Sequence, residues 1–461
     1  MTKPNIILMI SHDTGRYLGC YGRQVATPAI DKIADNGVRF DNYFCSAPQC
    51  SPSRGSIMTG LYAHNHGMIG LSHLGFTITE DKTTLPKELD KAGYETVLIG
   101  LSHETIGQPG GSAFTSSGKL GYKRIIEVGG PGNPDGNLAP LVADKTIQFL
   151  QEQASSGQEC PFFASVGFFE THRDFDAYEP QADPDDSIAV PDYLPDTPEV
   201  RRDVAQFQAS VKTLDEGIER IHRALQETGL DKNTLLLYTT DHGIAFPRAK
   251  GTLLDAGLET ALIMNWPGEV QGGKVQEELL CNVDLMPTLL EAAGADIPPG
   301  LDGRSFLPLL KEKPFTPREE FFCELTWHDR YHPMRGIRTD RYKYIRNFED
   351  GPAVYLPLDI HRSLSGQSVR DDYYTPNVSE ELYDLLLDPL EEHNLANNDE
   401  YAELLQDLRG RVEEWMVTTN DPLLKGAVPG KEAPEWQQEL DMGTTYKGRE
   451  QEISSRGQKN S

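Results

Sequence analysis

Cys50-Ser51-Pro52-Ser53-Arg54, followed after four residues by Thr59-Gly60, is the stretch on which the reading of this chain turns. Pro52 suits the first turn of a helix, where its missing N–H would lack a partner anyway, and Ser51 offers a side-chain oxygen for an N-cap. A helix over residues 53–58 would set Cys50 against free backbone N–H groups and a positive dipole end. Such an end binds anions and depresses a thiol's pKa. Arg54, in the first turn, adds a planar fork that fits a tetrahedral oxyanion. The stretch reads as a nucleophile beside an anion site; the plain alternative is a buried structural cysteine at an ordinary helix start.

Working outward, residues 5–10 (NIILMI) form a continuous apolar run of the kind found in buried parallel strands, and His12 and Asp13 follow it. The pattern repeats. Residues 95–100 lead to His103, residues 161–168 to His172, and residues 234–238 to Asp241 and His242. Polar groups just past the carboxyl ends of strands are where open α/β sheets build their sites. Residues 38–44 and 261–264 read as further strands. Residues 27–34, 85–92, 141–154, 204–225 and 283–293 read as helices, the fourth with apolar positions at helical spacing. This alternation predicts an α/β fold, a mainly parallel sheet sandwiched by helices, over residues 1–313. A smaller C-terminal α+β unit over 314–424 is expected from antiparallel strands at 319–325, 334–338, 341–346 and 381–384 and a helix at 401–417. Residues 425–461 read as a polar tail, mobile or wrapping a partner. The Pro- and Asp-rich residues 177–198 read as a long loop over the site.

The formal net charge of −28 argues against nucleic-acid binding, which needs a basic face, but not against a small anionic substrate in a locally positive cleft. No apolar run approaches the ~20 residues of a membrane span, and none of the early residues has the length of a signal segment. The six cysteines are scattered without metal-type spacing, which fits a reducing compartment; a cytoplasmic protein is expected. Oligomeric state is not legible, and a homo-oligomer is possible.

Written as C-x-P-S-R-x4-T-G, the opening stretch resembles the signature of the type I sulfatases of the alkaline phosphatase superfamily. The chain looks most similar to the heparan N-sulfatase (sulfamidase) branch. The likeness is carried by residues 241–247 (DHGIAFP), 331–335 (YHPMR) and 419–422 (TNDP). The resemblance implies a hydrolase of sulfate esters or sulfamates, of a sugar, in which a formylglycine-generating enzyme converts Cys50 to formylglycine. It implies one divalent cation held by Asp13, Asp241, His242 and the modified Cys50, with His12 as a further ligand. Arg54 and Lys250 would hold the sulfate, and His103 and His172 would be the active-site histidines. In the implied chemistry a hydroxyl of the aldehyde hydrate attacks sulfur, and the second hydroxyl later lets the sulfate leave, a step a plain thiol cannot perform.

Two departures from the family pattern stand out. His12 replaces an aspartate in the cation site, so calcium, the family's ion, competes with manganese or zinc as the expectation. Leu101 stands where a sulfate-contacting lysine is usual; Arg248 or Arg173 could replace the charge. Both departures keep open a phosphonate monoester or phosphodiester hydrolase of the same superfamily, and a non-catalytic binding protein is the reading from another class. Substrate-side groups are expected from residues 177–198 and from Glu324, His328, Asp329 and His332.

Overall fold

The computed structural model describes residues 3–104, 120–128, 139–157, 160–373 and 375–431. Its centre is the strand Asn5–Ser11, buried at every position because both faces of the sheet are covered. Ile7 and Met9 pack with the helices Pro28–Asp35, Ala139–Ser155 and Pro198–Glu227. Ile6, Leu8 and Ile10 pack with Cys50–Thr59, Leu85–Lys91 and Leu285–Ala292 on the other face. The eight strands run in the order Arg124–Ile126, Glu95–Gly100, Phe162–Gly167, Asn5–Ser11, Thr234–Thr240, Leu262–Asn265, Val38–Phe40, Lys274–Gln276. The first five are parallel, while Leu262–Asn265 is antiparallel to both neighbours.

The long helix Pro198–Glu227 starts with Thr197, whose side chain accepts from Val200 N, and with Pro198 in its first turn. Val204, Phe207, Val211, Leu214, Ile218 and Ile221 lie along its buried face, each worth about 2 kcal/mol of removed apolar surface. The C-terminal sheet, Glu320–Trp327, Tyr331–Thr339, Tyr342–Asn347 and Glu380–Asp384, is antiparallel throughout and covered by the helix Ala402–Thr418. Its core is shared with the main sheet's loops: Phe44, Tyr62, Leu253 and Leu258 pack in one cluster with Phe321, Cys323, Ile337 and Trp415. No helix among the described residues is long and apolar enough to cross a membrane.

Several expectations are corrected. The nucleophile helix begins at Cys50 itself, and Ser51 does not cap it; Ser51 Oγ accepts from Ser72 N instead. Gly60, at φ 67°, ends it. Residues 38–44 form two short strands, the second, Tyr43–Phe44, pairing with Leu280–Cys281 outside the main sheet. Residues 177–198 do not line the cavity described below. They carry two 3-10 turns, Asp176–Gln181 and Asp185–Ser187, and bury Ile188 and Leu194 in the core cluster that holds the long helix. From residue 432 on, the expected tail lies outside the described residues; Val428, before it, is tied to Trp327 Nε1 and Tyr331 Oη.

Candidate active site

Four adjacent parallel strands deliver the site. Phe162–Gly167, Asn5–Ser11 and Thr234–Thr240 lie side by side with Glu95–Gly100 next to them, so the groups past their carboxyl ends meet at one edge. Backbone bonds fix the loops there: His12 N donates to Glu170 O at 2.8 Å and Thr171 N to His12 O at 2.6 Å. Asp13 takes a left-handed conformation, φ 55°, and its N–H donates to Asp241 Oδ1 at 2.9 Å.

One ligand atom from each of His12, Asp13, Cys50, Asp241 and His242 lies within 4.8 Å of all the others, and all five residues are buried. His242 Nε2 is 2.9 Å from Asp13 Oδ1 and 3.4 Å from Cys50 Sγ, and His12 Nδ1 is 2.8 Å from Asp13 Oδ1 and 3.4 Å from Asp241 Oδ2. Burial alone would raise the Asp13 and Asp241 carboxyls, but neighbouring cations hold both well below the usual range: Lys250 first for Asp13, His242 first for Asp241. Burial likewise opposes charge on His12, yet Cys50, Asp241 and Asp13 raise it to about 9. The Cys50 thiol, also opposed by burial, is lowered well below its ordinary value by His12 and Lys250. Two carboxylates, a thiol and two imidazoles thus gather donor atoms at one buried point, their negative charge balanced by the protonated imidazoles, Lys250 and Arg54.

Around it stand two cationic side chains and two further histidines. Arg54 Nε donates to Asp241 Oδ2 at 2.9 Å and Nη2 to Ser11 O at 3.2 Å. Lys250 Nζ donates to Asp13 Oδ2 at 2.7 Å and to Asp359 Oδ2 at 2.8 Å. His172 donates from Nδ1 to Arg173 O, which turns Nε2 toward the cluster, 4.0 Å from Asp13 Oδ2. Burial holds the His103 pKa down to about 4, against the upward pull of the neighbouring Cys50.

A cavity of about 520 Å³ opens over these groups, lined by Cys50, His103, His172 and Lys250 among others. Sequence reasoning missed His73 and Asp359 in its lining. His73 stacks on His103, ring centroids 5.7 Å apart at 8°, with Nδ1 3.5 Å from His103 Nε2. It lies on a 3-10 turn, Ser72–Leu74, with no strand before it. Asp359 lies on the short helix Leu358–Arg362, and only Pro357 ahead of Leu358 hinted at a helix start.

His328 and Asp329 line the cavity as expected. His332 does not; it stacks on Tyr355 at 5.1 Å and lines a small neighbouring cleft. Glu324 is buried in an ion-pair chain, 2.9 Å from His64 Nδ1 and 3.5 Å from Arg335 Nη2, with Arg335 in turn on Asp421 at 2.5 Å. Leu101 is buried and outside the cavity lining. Both candidate substitutes for its missing charge are bonded to other groups, although Arg173 lines the cavity. The Arg173 guanidinium bonds both Asp203 oxygens at 2.8 Å between the Phe175 and Phe246 rings, and Arg248 Nη2 donates to the Leu390 and Glu391 carbonyls at 2.8 Å.

Residues 4–295 match the family model described as Sulfatase, and residues 247–363 match that of the N-sulphoglucosamine sulphohydrolase C-terminal region. An ulvan-active sulfatase of Formosa agariphila is 30% identical over 92% of this chain and 82% of its own length. The human N-sulphoglucosamine sulphohydrolase is 29% identical over 94% of each chain. A solved structure of a protein in complex with its substrate D-glucosamine-2-N,6-O-disulfate superposes with TM-score 0.69 at 21% identity, covering 91% of this chain and 99% of that one. A phosphonate monoester hydrolase of Agrobacterium radiobacter superposes with TM-score 0.71 at 21% identity over 90% and 96%. At such identities the likeness concerns the fold.

Proposed function

The chain belongs to the sulfatase family and is a hydrolase of sulfuric esters or sulfamates; from that premise we propose that Cys50 is matured to formylglycine, that the cluster around Asp13 holds one divalent cation, and that the substrate is a sulfated sugar. The observation that carries this reading is the convergence of Cys50, at the first position of its helix, with Asp13 and His242 in hydrogen-bonding range, and of Lys250 with the same Asp13. The named substrates of the relatives, ulvan and N-sulphoglucosamine, support a sugar.

The residues present fit a cation. His242 donates Nδ1–H to Gly243 O at 2.9 Å, so Nε2, which faces the carboxylates, is the nitrogen that would take an ion in place of its proton. His12 faces the same carboxylates through Nδ1, and its Nε2 is buried without a hydrogen-bond partner among the described residues. With two imidazoles in the donor set, manganese or zinc is favoured over calcium. When bound, such an ion polarises a substrate oxygen as a Lewis acid and lowers the pKa of an oxygen nucleophile.

The chain's own residues supply the rest. Lys250 and Arg54 balance the charge of the anion's oxygens, a contribution largest when it is fixed in place beforehand. His172, its Nδ1 proton committed to a carbonyl, presents Nε2 for the proton of the leaving oxygen or nitrogen. His103, held neutral and lining the cavity with Cys50, stands ready to take a proton from the nucleophile. We further propose a reducing, cytoplasmic setting, supported by six unpaired cysteines.

Co-expression with a formylglycine-generating enzyme tests the reading. The modified fraction of the Cys50 peptide, read by mass spectrometry, is expected to rise in step with hydrolysis of a sulfate ester. Full activity from protein whose Cys50 peptide is wholly thiol overturns it.

A further inference from the structure

The C-terminal sheet sends one side chain to the cavity wall whose polar atoms the protein itself leaves unused. His328 follows the strand Glu320–Trp327 in the tight turn to Tyr331, closed by His328 N donating to Arg330 O at 3.0 Å. Its ring is 5% exposed and lies edge-on to Tyr355, centroids 6.1 Å apart. Neither ring nitrogen has a hydrogen-bond partner among the described residues; the nearest carboxylate oxygen, Asp329 Oδ1, is 4.0 Å away. Native proteins rarely bury two polar atoms this way without a partner, because each then loses its water for nothing. Burial and the Lys250 ammonium push its pKa down to about 3, so the ring is neutral, one nitrogen donating and the other accepting.

Its surroundings narrow the partner. Asp329 is anchored, with Oδ2 accepting from Leu358 N at 2.6 Å, and Asp359 leans on Lys250, the anion-binding lysine. The same lining carries Leu71 and Leu74. A group that reaches His328 while its anion lies on Lys250 therefore meets carboxylate acceptors and a neutral donor–acceptor pair beside apolar surface. A sugar ring has this chemistry: hydroxyls that both donate and accept, on a body with apolar faces. The volume, about 520 Å³, holds one or two such rings.

Resting on the sulfatase reading, we propose that His328 is a specificity-determining group of a leaving-group subsite, its imidazole donating to one hydroxyl and accepting from the next on a terminal sulfated sugar. The subsite then takes hydroxyl-bearing sugars at the end of a chain and discriminates against leaving groups without hydroxyls.

Two probes separate this from the chemistry: D-glucosamine 6-sulfate and 4-nitrophenyl sulfate, which has no hydroxyl. Equilibrium binding is measured on the full chain with Cys50 left as thiol, so that no turnover intervenes, and kcat/KM on the matured enzyme. His328→Leu is expected to weaken sugar binding about tenfold more than it weakens aryl sulfate binding, and His328→Gln, which keeps a donor and an acceptor, to recover most of the difference. In turnover the same difference is expected in KM rather than kcat. Equal losses on both probes, or none on the sugar, overturn the subsite. If the sugar difference holds in binding while the matured wild type hydrolyses neither sulfate, the subsite stands and the sulfatase reading falls.

Discussion

Two regions face one cavity and are built in different ways. The catalytic edge is four neighbouring strand ends plus one helix start, where every side chain is braced by the sheet: Asp241 alone accepts from Asp13 N, His242 N and Arg54 Nε. The opposing contribution comes from the C-terminal unit, a turn at His328 and Asp329 and a five-residue helix at Leu358–Arg362. It is held by side chains reaching across: Asp329 to Leu358 N, and Asp203 on the long helix to both Arg173 and Ser365. The difference teaches where reaction and selectivity are separable. A sheet edge fixes atoms to the tolerance that group transfer demands, and short loop-borne elements can vary which leaving group is admitted.

The comparison breaks or sharpens under substitution. Asp241→Ala, at the edge, is expected to abolish cation binding by elemental analysis and to lower kcat/KM by about 10³-fold or more on every sulfate, since it strips a ligand and unpairs Arg54. Full metal occupancy in that variant would remove the cation site from the edge. Lys250→Met is expected to cost about 10²- to 10³-fold, by similar factors for aryl and sugar sulfates, because both carry the same transferred group. A loss that depends on the leaving group would erase the boundary between the regions.

Acid should weaken the edge through its foundation. His66 is fully buried behind the nucleophile helix, with Nδ1 accepting from Met68 N at 3.2 Å and Nε2 3.3 Å from Ser56 Oγ. Burial lowers its pKa to about 4 from 6.5. The unfolded chain therefore takes up the proton first. Stability from this group is fully present above about pH 6.5 and declines as pH falls toward 4, by up to on the order of 3 kcal/mol. Urea midpoints at neutral pH and near pH 4.5, for wild type and His66→Gln, are expected to show a smaller acid loss in the variant; equal losses would contradict the assignment. The smallest effect is expected on the C-terminal side. Asp359→Asn should change sugar against aryl preference by about tenfold or less, with kcat on the aryl sulfate moving little beside the Lys250→Met loss.

Much of the edge was legible because each strand is an apolar run stopped by a polar group, and four stops in parallel strands must meet. The motif around Cys50 was legible too, although its cap was not. Ser51 has a capping residue's chemistry, but Gln49 already stands in the extended conformation before the helix, and Ser51 turns to Ser72. His73 and Asp359 were not legible: a three-residue turn and a five-residue helix carry no period, and Asp359 meets Lys250 across 109 positions. Residues 331–335 and 419–422 meet in the structure. Arg335 and Asp421, one from each segment, form a single buried ion pair, so the two segments mark the packing of the C-terminal unit. Residues 177–198 read by composition as a long loop over the site, yet the apolar Ile188 and Leu194 within them pack into the core.

The central claim, that the edge is tuned for a sulfuryl group although Leu101 withholds the usual lysine, meets its most direct test in one measurement. This is kcat/KM of the matured, metal-loaded enzyme on a sulfate monoester and a phosphodiester sharing one leaving group. The account predicts a preference for the sulfate of about 10²-fold or more, supplied by Lys250, Arg54 and the buried donor cluster. Equal rates, or a preference for the phosphodiester, would contradict it.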